Sequence, residues 1–246
     1  MYFSYFKNLY LKKTMKRYII EGGLIFCSVL ASFFIESYRL KQSNIEIKNG
    51  LLVELSQIIN EDLKQINKVI SIQTRSLDAT NRLVNDYLNN QNMTEEAIAN
   101  NYLEIITNTP TSFYSQKGVY TQLLESGSLE LIRYKTLRLK LLYVYEHLDE
   151  RKLGIDRFVD DFIWNSNQKL VEDIVVLSSV DQVNKSLMYS ERKISSYMIN
   201  DNYYKSKSII GFYAANINYI IFYIDVLKEY QEELNDILEL IDQELN

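Results

Sequence analysis

The chain has one cysteine, one histidine, one proline, one tryptophan and seven glycines among 246 residues. A single cysteine excludes a disulfide framework and a thiolate metal cluster. A single histidine, His147, excludes sites built from several imidazoles. Glycine and proline together make about 3% of the residues, against roughly 12% in an average protein. A β-sandwich or an α/β enzyme needs more turn residues than that, so the shortage predicts long helices with few connections. No glycine-rich phosphate loop, histidine pair at metal spacing or nucleophile elbow occurs. The residues therefore predict no catalytic site and no cofactor.

Apolar residues make 47% of the chain and charged residues 24%, the balance of a folded protein. The formal charge of −5 is unevenly spread. Residues 1–17 carry Lys7, Lys12, Lys13, Lys16 and Arg17 and no acid, whereas residues 37–246 carry a net −8. A basic stub on an acidic body points to a membrane address, and the acidic body would repel a phosphate backbone, which argues against nucleic acid.

Residues 18–38 read YIIEGGLIFCSVLASFFIESY. Tyr18 and Tyr38 would be about 30 Å apart on a helix, the thickness of the hydrocarbon layer, and would anchor its two interfaces. Five cations precede this segment and few follow closely, so the positive-inside rule places residues 1–17 in the cytoplasm and the body outside. Cleavage after Ala31, with Val29 at −3, and a lipid anchor at Cys27 are weaker readings, because Glu21 and Gly22–Gly23 interrupt the apolar run and bulky Phe26 precedes the cysteine. Glu21 stands four residues after Arg17, the spacing of a helical ion pair; an intramembrane functional carboxylate is the sharper alternative. Gly23, Cys27 and Ala31, with Ser28 and Ser32 alongside, make a small-residue face of the kind that lets membrane helices approach closely. Tyr2, Phe3, Tyr5, Phe6 and Tyr10 around Lys7 suggest an interfacial stub.

Beyond the span, Leu52, Leu55, Ile59, Leu63, Ile66, Ile70, Leu77, Val84 and Tyr87 recur in steps of three, four and seven, with Gln73 and Thr80 filling the seam. This heptad-like stripe predicts one helix from near residue 45 to about 88. Asn89–Asn92 would stop it. A short helix after Thr94, a loop around Pro110, a helix over about 115–125 capped by Gly127, and a long helix from Thr136 that either breaks at Gly154 or runs on are expected next. Residues 178–202 are read as holding a short helix, with no strand. The last helix is expected from near Asn202, ending in the acidic, heptad-like run to Leu245. Residues 209–227 are apolar enough to test as a second span, but Asn216, Asn218 and Asp225 favour a core helix. The expected fold is all-α: a transmembrane helix over 18–38 leading into an extended antiparallel bundle over 39–246. Within it, His147 reads as a surface residue, Asp160–Asp161 as neighbours on different helix sides, Trp164 as a core anchor, and the 20 tyrosines as packing residues with hydroxyls at the rim.

Glu21 before a short membrane helix, then Tyr38–Arg39, and the stretch VYTQLLESGSLELIRYKTLRLKLLYVYEHL resemble the bacterial domain-of-unknown-function family numbered 6090. The matching positions are Tyr120, Leu123, Ser126, Gly127, Leu129, Leu131, Ile132, Leu137, Arg138, Tyr143 and Tyr145. The family's aromatic after the membrane helix is usually Trp, where this chain has Tyr38; its mid-membrane Gly is replaced by Ser28. The resemblance implies a single-pass protein of the bacterial inner membrane with a helical periplasmic body, and it supplies no catalytic residues. The function expected is non-catalytic: a bilayer-anchored module acting as scaffold or accessory subunit of an envelope complex, through a protein partner or self-association. A sensing module that relays through a partner and an oligomeric membrane-active effector are the alternatives.

Overall fold

The computed structural model describes residues 2–180 and 192–246, with side chains at all of these except 2–16, 19, 167 and 180. The expected aromatic stub at residues 1–10 lies outside the described side chains, as does whatever structure residues 181–191 hold.

The fold is all-α apart from one small hairpin. Helix α1 runs without a break from Tyr2 to Asn89, 88 residues and about 130 Å. It contains no proline, so nothing removes a backbone donor along its length. Asn90 and Asn92 end it by taking left-handed backbone angles (φ 48° and 55°), a conformation asparagine tolerates better than most residues. Residues 20–44 are exposed on every side, and burial begins at Ile45 and Lys48.

From Lys48 a row of buried positions of α1 steps by four and three: 48, 52, 55, 59, 62, 66, 69, 73, 76, 80 and 83. Helix α7 (Lys207–Leu245) carries a row in the same rhythm among its buried residues: 209, 213, 216, 220, 223, 227, 230, 234, 237, 241 and 244. Contacts from Lys48 to Glu244 and from Thr80 to Asn216 make the pair antiparallel. A shared period of 3.5 keeps both seams facing each other for about 50 Å, the geometry of an antiparallel coiled coil. The sequence stripe is right at Leu52, Leu55, Ile59 and Ile66, and Gln73 and Thr80 fill the seam as expected, but at the other positions it drifts by one residue. Leu63, Ile70, Leu77, Val84 and Tyr87 are half-buried, while Asp62, Val69, Ser76 and Leu83 hold the seam. Two of these are polar and enter the core because partners await them: Gln116 for Asp62, and Thr109 for Ser76.

The other helices pack on this spine. Helix α2 (Glu95–Asn108) is capped by Thr94, whose hydroxyl accepts from Ala97 N. The Pro110 loop after it is pinned by the Gln73 amide, which faces the carbonyls of Asn108, Thr109 and Thr111 at 3.3, 3.0 and 2.8 Å. Helix α3 (Gly118–Glu125) ends at Gly127, whose φ of +71° favours glycine. A 3-10 turn (Ser128–Leu131) leads into α4 (Lys135–Leu142), which passes through a π-helical turn (Tyr143–Leu148) into α5 (Asp149–Leu170). Gly154 sits inside α5 and does not break it.

The expected helix over 178–202 is a correction. Strand β1 (Ile174–Val180) pairs antiparallel with β2 (Arg192–Ile199). The β-branched run Ile174–Val175–Val176 suits a pleated, half-buried surface better than a helix. Ser195 is the extra residue of a bulge opposite Leu177–Ser178. Asn200 caps the short α6 (Asp201–Tyr204), and Ser206 caps α7, so the last helix starts five residues later than its expected start near Asn202.

One core cluster joins α1, α3, α4 and the C-terminal half of α7; a second joins the far end of α1 to α2, α5, the hairpin and the start of α7. Among the described residues, two helices are long and apolar enough to cross a membrane, Ile20–Asn89 of α1 and α7 itself, but α7 has one face buried in both clusters.

Where α7 ends, Glu244 receives Lys48 Nζ and the backbone N–H groups of Arg133 (2.9 Å) and Tyr134 (3.1 Å), and Arg133 Nη2 donates to its carbonyl at 2.7 Å. Glu244→Ala, which strands the buried Lys48 ammonium, is expected to lower the stability of the body by about 3–5 kcal/mol in urea unfolding. Gly154→Ala, where an added methyl meets nothing within 4 Å, is expected to raise it by about 0.5–1 kcal/mol.

Candidate functional site

The membrane-segment residues are placed as follows. Arg17 Nε donates to Glu21 Oε1 at 2.8 Å, both side chains being well exposed. Ser28 Oγ donates to Leu24 O at 2.8 Å and Ser32 Oγ to Ser28 O at 2.9 Å. Both hydroxyls are thus satisfied within the helix, as an apolar solvent requires. Gly23, Cys27 and Ala31 line one exposed face and touch no other element among the described residues. Tyr18 and Tyr38 are exposed at the two ends of the apolar run. Between Tyr38 and Ile45, where burial begins, residues 39–44 are exposed on every side, a stalk of about 10 Å.

The most elaborate polar arrangement lies in the middle of the body, at the π turn. The extra residue in that turn brings Tyr145 into the core, stacked on Tyr120 with centroids 4.6 Å apart, while the next residue, Glu146, accepts from Tyr120 Oη at 3.0 Å. Tyr230 of α7 donates from the other side, between Val144 O (3.3 Å) and Asp149 Oδ1 (3.2 Å). The second oxygen of Asp149 takes Lys117 Nζ at 2.7 Å. Below them Asp62 of α1 accepts from Gln116 N and Nε2, each at 3.2 Å. One buried atom among these, Tyr145 Oη, has no hydrogen-bond partner.

A second buried charge stands one turn further along. Lys152 Nζ donates to Phe113 O at 2.8 Å and to Asp156 Oδ2 at 2.7 Å, and lies over the rings of Phe113 and Tyr114. Phe113 N donates to Tyr223 Oη at 2.8 Å. The loop 111–117 is therefore clasped by α1, α5 and α7 at once. The tyrosines depart from expectation here: Tyr145, Tyr213 and Tyr230 are fully buried instead of presenting hydroxyls at a rim, and burial pushes their phenols well up. His147 is exposed, and no group of three or more His, Cys, Asp or Glu side chains converges among the described residues.

At the end of the body farthest from the stalk, a cleft of about 420 Å3 opens beside Asp86, Asn90, Met93, Asp201 and Tyr204. Its buried carboxylate is spoken for: Asp86 accepts from Met93 N at 2.8 Å and from Tyr204 Oη at 2.7 Å. Trp164 is the other correction. It is 68% exposed on α5, because its side of the helix turns away from α7.

Sequence reasoning passed over Asp62 and Lys152. The signal for Asp62 was its spacing, three residues after Ile59 and four before Ile66. Lys152 carried only an i,i+4 spacing to Asp156, which a solvated helix face shows as often.

The seam carboxylates respond to pH with opposite signs. Burial pushes Asp62 up to about 6, assisted by Glu61 and Asp149 and opposed by the two Gln116 hydrogen bonds. Between its unfolded value near 3.8 and about 6 the folded chain holds the extra proton, so Asp62 costs stability as pH rises through that window. Burial raises Glu244 too, but Lys48 and the Arg133 and Tyr134 amides outweigh it, and its net shift is downward, so its contribution is lost as pH falls. Asp62→Asn is expected to stabilise the body at pH 7 by about 1–3 kcal/mol and to remove the Asp62 part of the slope between pH 4 and 6, read by urea unfolding at stepped pH.

No family model matches the chain, and neither a curated protein nor a solved structure matches it.

Proposed function

We propose that the chain is a membrane-anchored, non-catalytic scaffold that holds a protein partner at a set distance from the bilayer, as an accessory subunit of a bacterial envelope complex. The observation that carries this reading is α1: one unbroken helix whose exposed apolar stretch leads, through a bare stalk, into the spine of the folded body. A rigid continuation of that kind suits positioning. The polar interior suits it too, because most of its charged groups bond one another and, among the described residues, no three His, Cys, Asp or Glu side chains converge. The basic stub, the acidic body and the resemblance to the family numbered 6090 support an inner-membrane address, with residues 1–17 in the cytoplasm and the body in the periplasm.

A second reading, a sensor that relays through a partner, is favoured by one observation. Asp62 lies on the same helix as the membrane segment and would change charge near pH 6, so loss of its proton would bias the packing around the π turn.

The test is purification of the tagged full chain from membranes in a mild detergent, together with reporter fusions at both ends. A stoichiometric protein partner and an extracytoplasmic C-terminus are expected. A partner-free monomer would sink the scaffold reading, and a cytoplasmic C-terminus would overturn the topology.

A further inference from the structure

The exposed side of α5 and α7 carries large aromatic groups that the fold leaves uncovered. Phe158 is 55% exposed, Trp164 68% and Phe222 63%. Phe158 and Phe162 meet Tyr219 edge-on at 4.9 and 4.8 Å, making a floor between the two helices. Two depressions of about 430 Å3 each share Asp161: one opens between the helices against Phe158, Phe162 and Tyr219 with Lys169 on its wall, the other on α5 alone, against Ile163 and Trp164. Asp161 lines both, with Asp160 beside it. Among the described residues neither carboxylate has an ion-pair partner, although burial and the neighbours Asp156 and Asp161 already hold the Asp160 carboxyl above its usual range. An acid set between bare aromatic rings is a costly surface to leave alone, and a contiguous apolar patch of this kind marks an interaction site.

Three occupants can be weighed. The bilayer that α1 crosses lies too far away. Tyr219 lines one small cavity with Gln73, and Gln73 is 35 residues, about 50 Å, along α1 from Tyr38. A second copy would bring Asp160 and Asp161 against another body of net −8, a like-charge juxtaposition. A basic segment complements both the rings and the acids, and an amphipathic helix fits a groove between two helices.

We infer that this face docks a basic amphipathic helix of a protein partner, with apolar side chains on Phe158, Trp164 and Tyr219 and a Lys or Arg at Asp160–Asp161. The inference rests on the scaffold reading and names the surface that such a scaffold would use.

Trp164 is the only tryptophan of the chain, so its fluorescence reports on the site directly. The full chain in maltoside micelles would be titrated with a synthetic amphipathic helix of Lys and Leu, and with its counterpart carrying Glu in place of Lys. The expected result is a saturable blue shift of Trp164 and protection from acrylamide with the Lys peptide only. The double variant Asp160→Asn, Asp161→Asn should weaken binding about tenfold. Glu239→Gln with Asp242→Asn, at the remote acidic end of α7, should leave it unchanged. Phe158→Ala should weaken it too, with urea unfolding of the variant measured beside it to separate lost docking from the lost Tyr219 contact. Equal binding of the Glu peptide, indifference to the Asp160/Asp161 change or an unperturbed Trp164 would overturn the inference. So would quenching of Trp164 by brominated lipid, or self-association that shields it, which would give the face to the bilayer or to a second copy. If the peptide fails while a partner still purifies with the chain, the docking face alone is refuted; if no partner is found and the peptide binds, the scaffold role alone is in doubt.

Discussion

The antiparallel seam between α1 and α7 is the constraint on which the rest of the structure depends. Each helix lines the seam with eleven of its buried positions, in alternating steps of four and three. Neither helix alone could stand in water with that face open, since most of the stability of a helix in a protein comes from packing an apolar stripe. The seam also sets the register. Lys48 against Glu244 and Thr80 against Asn216 are matched polar groups within an apolar contact, and a slide by one heptad would place a buried ammonium opposite aliphatic side chains. Everything else hangs on the sites this register creates: the Pro110 loop on Gln73, the π turn on Tyr230, and the loop 111–117 on Asp62.

The polar interior has a common logic. Asp62, Asp149, Lys152, Asp156 and Glu244 are charged groups at the edge of or inside the packed layer, and each is met by an amide, a hydroxyl or an opposite charge. Such arrangements add little stability over an apolar replacement, but they discriminate strongly against alternative packings. In a body made mainly of long helices with similar stripes, discrimination is the harder problem. The polar contacts at both ends and the middle of the seam answer it.

Much of this architecture was legible in the sequence. Helices announce themselves by period, and the shortage of Gly and Pro left few places to stop them, so the all-α fold, the Pro110 loop and the Gly127 cap could be read directly. The drift of the stripe from Asp62 to Leu63 had a physical cause. Hydrophobicity alone ranks Leu above Asp for a seam, and only the distant Gln116 reverses that order. The hairpin was missed because its strands are short, polar in part and interrupted by a bulge, which spoils the period-two signal. Trp164 was misplaced for a related reason: a large aromatic residue on an amphipathic helix is usually buried, and nothing local reveals that its face has no neighbour. The hydrogen bonds that build the π-turn cluster join residues 26 to 86 positions apart, beyond any motif.

The exposed stretch between Tyr38 and Ile45 gives the molecule an angular address. A helix turns about 100° and rises about 1.5 Å for each residue, so the length of this stalk sets both the height of the body and the compass direction in which its aromatic face looks. Adding one residue would swing that face by more than a quarter of a circle, whereas adding seven would return it to within about 20° and lift it by about 10 Å. Height and heading are thus coupled through the six exposed residues 39–44, and both are written into their count.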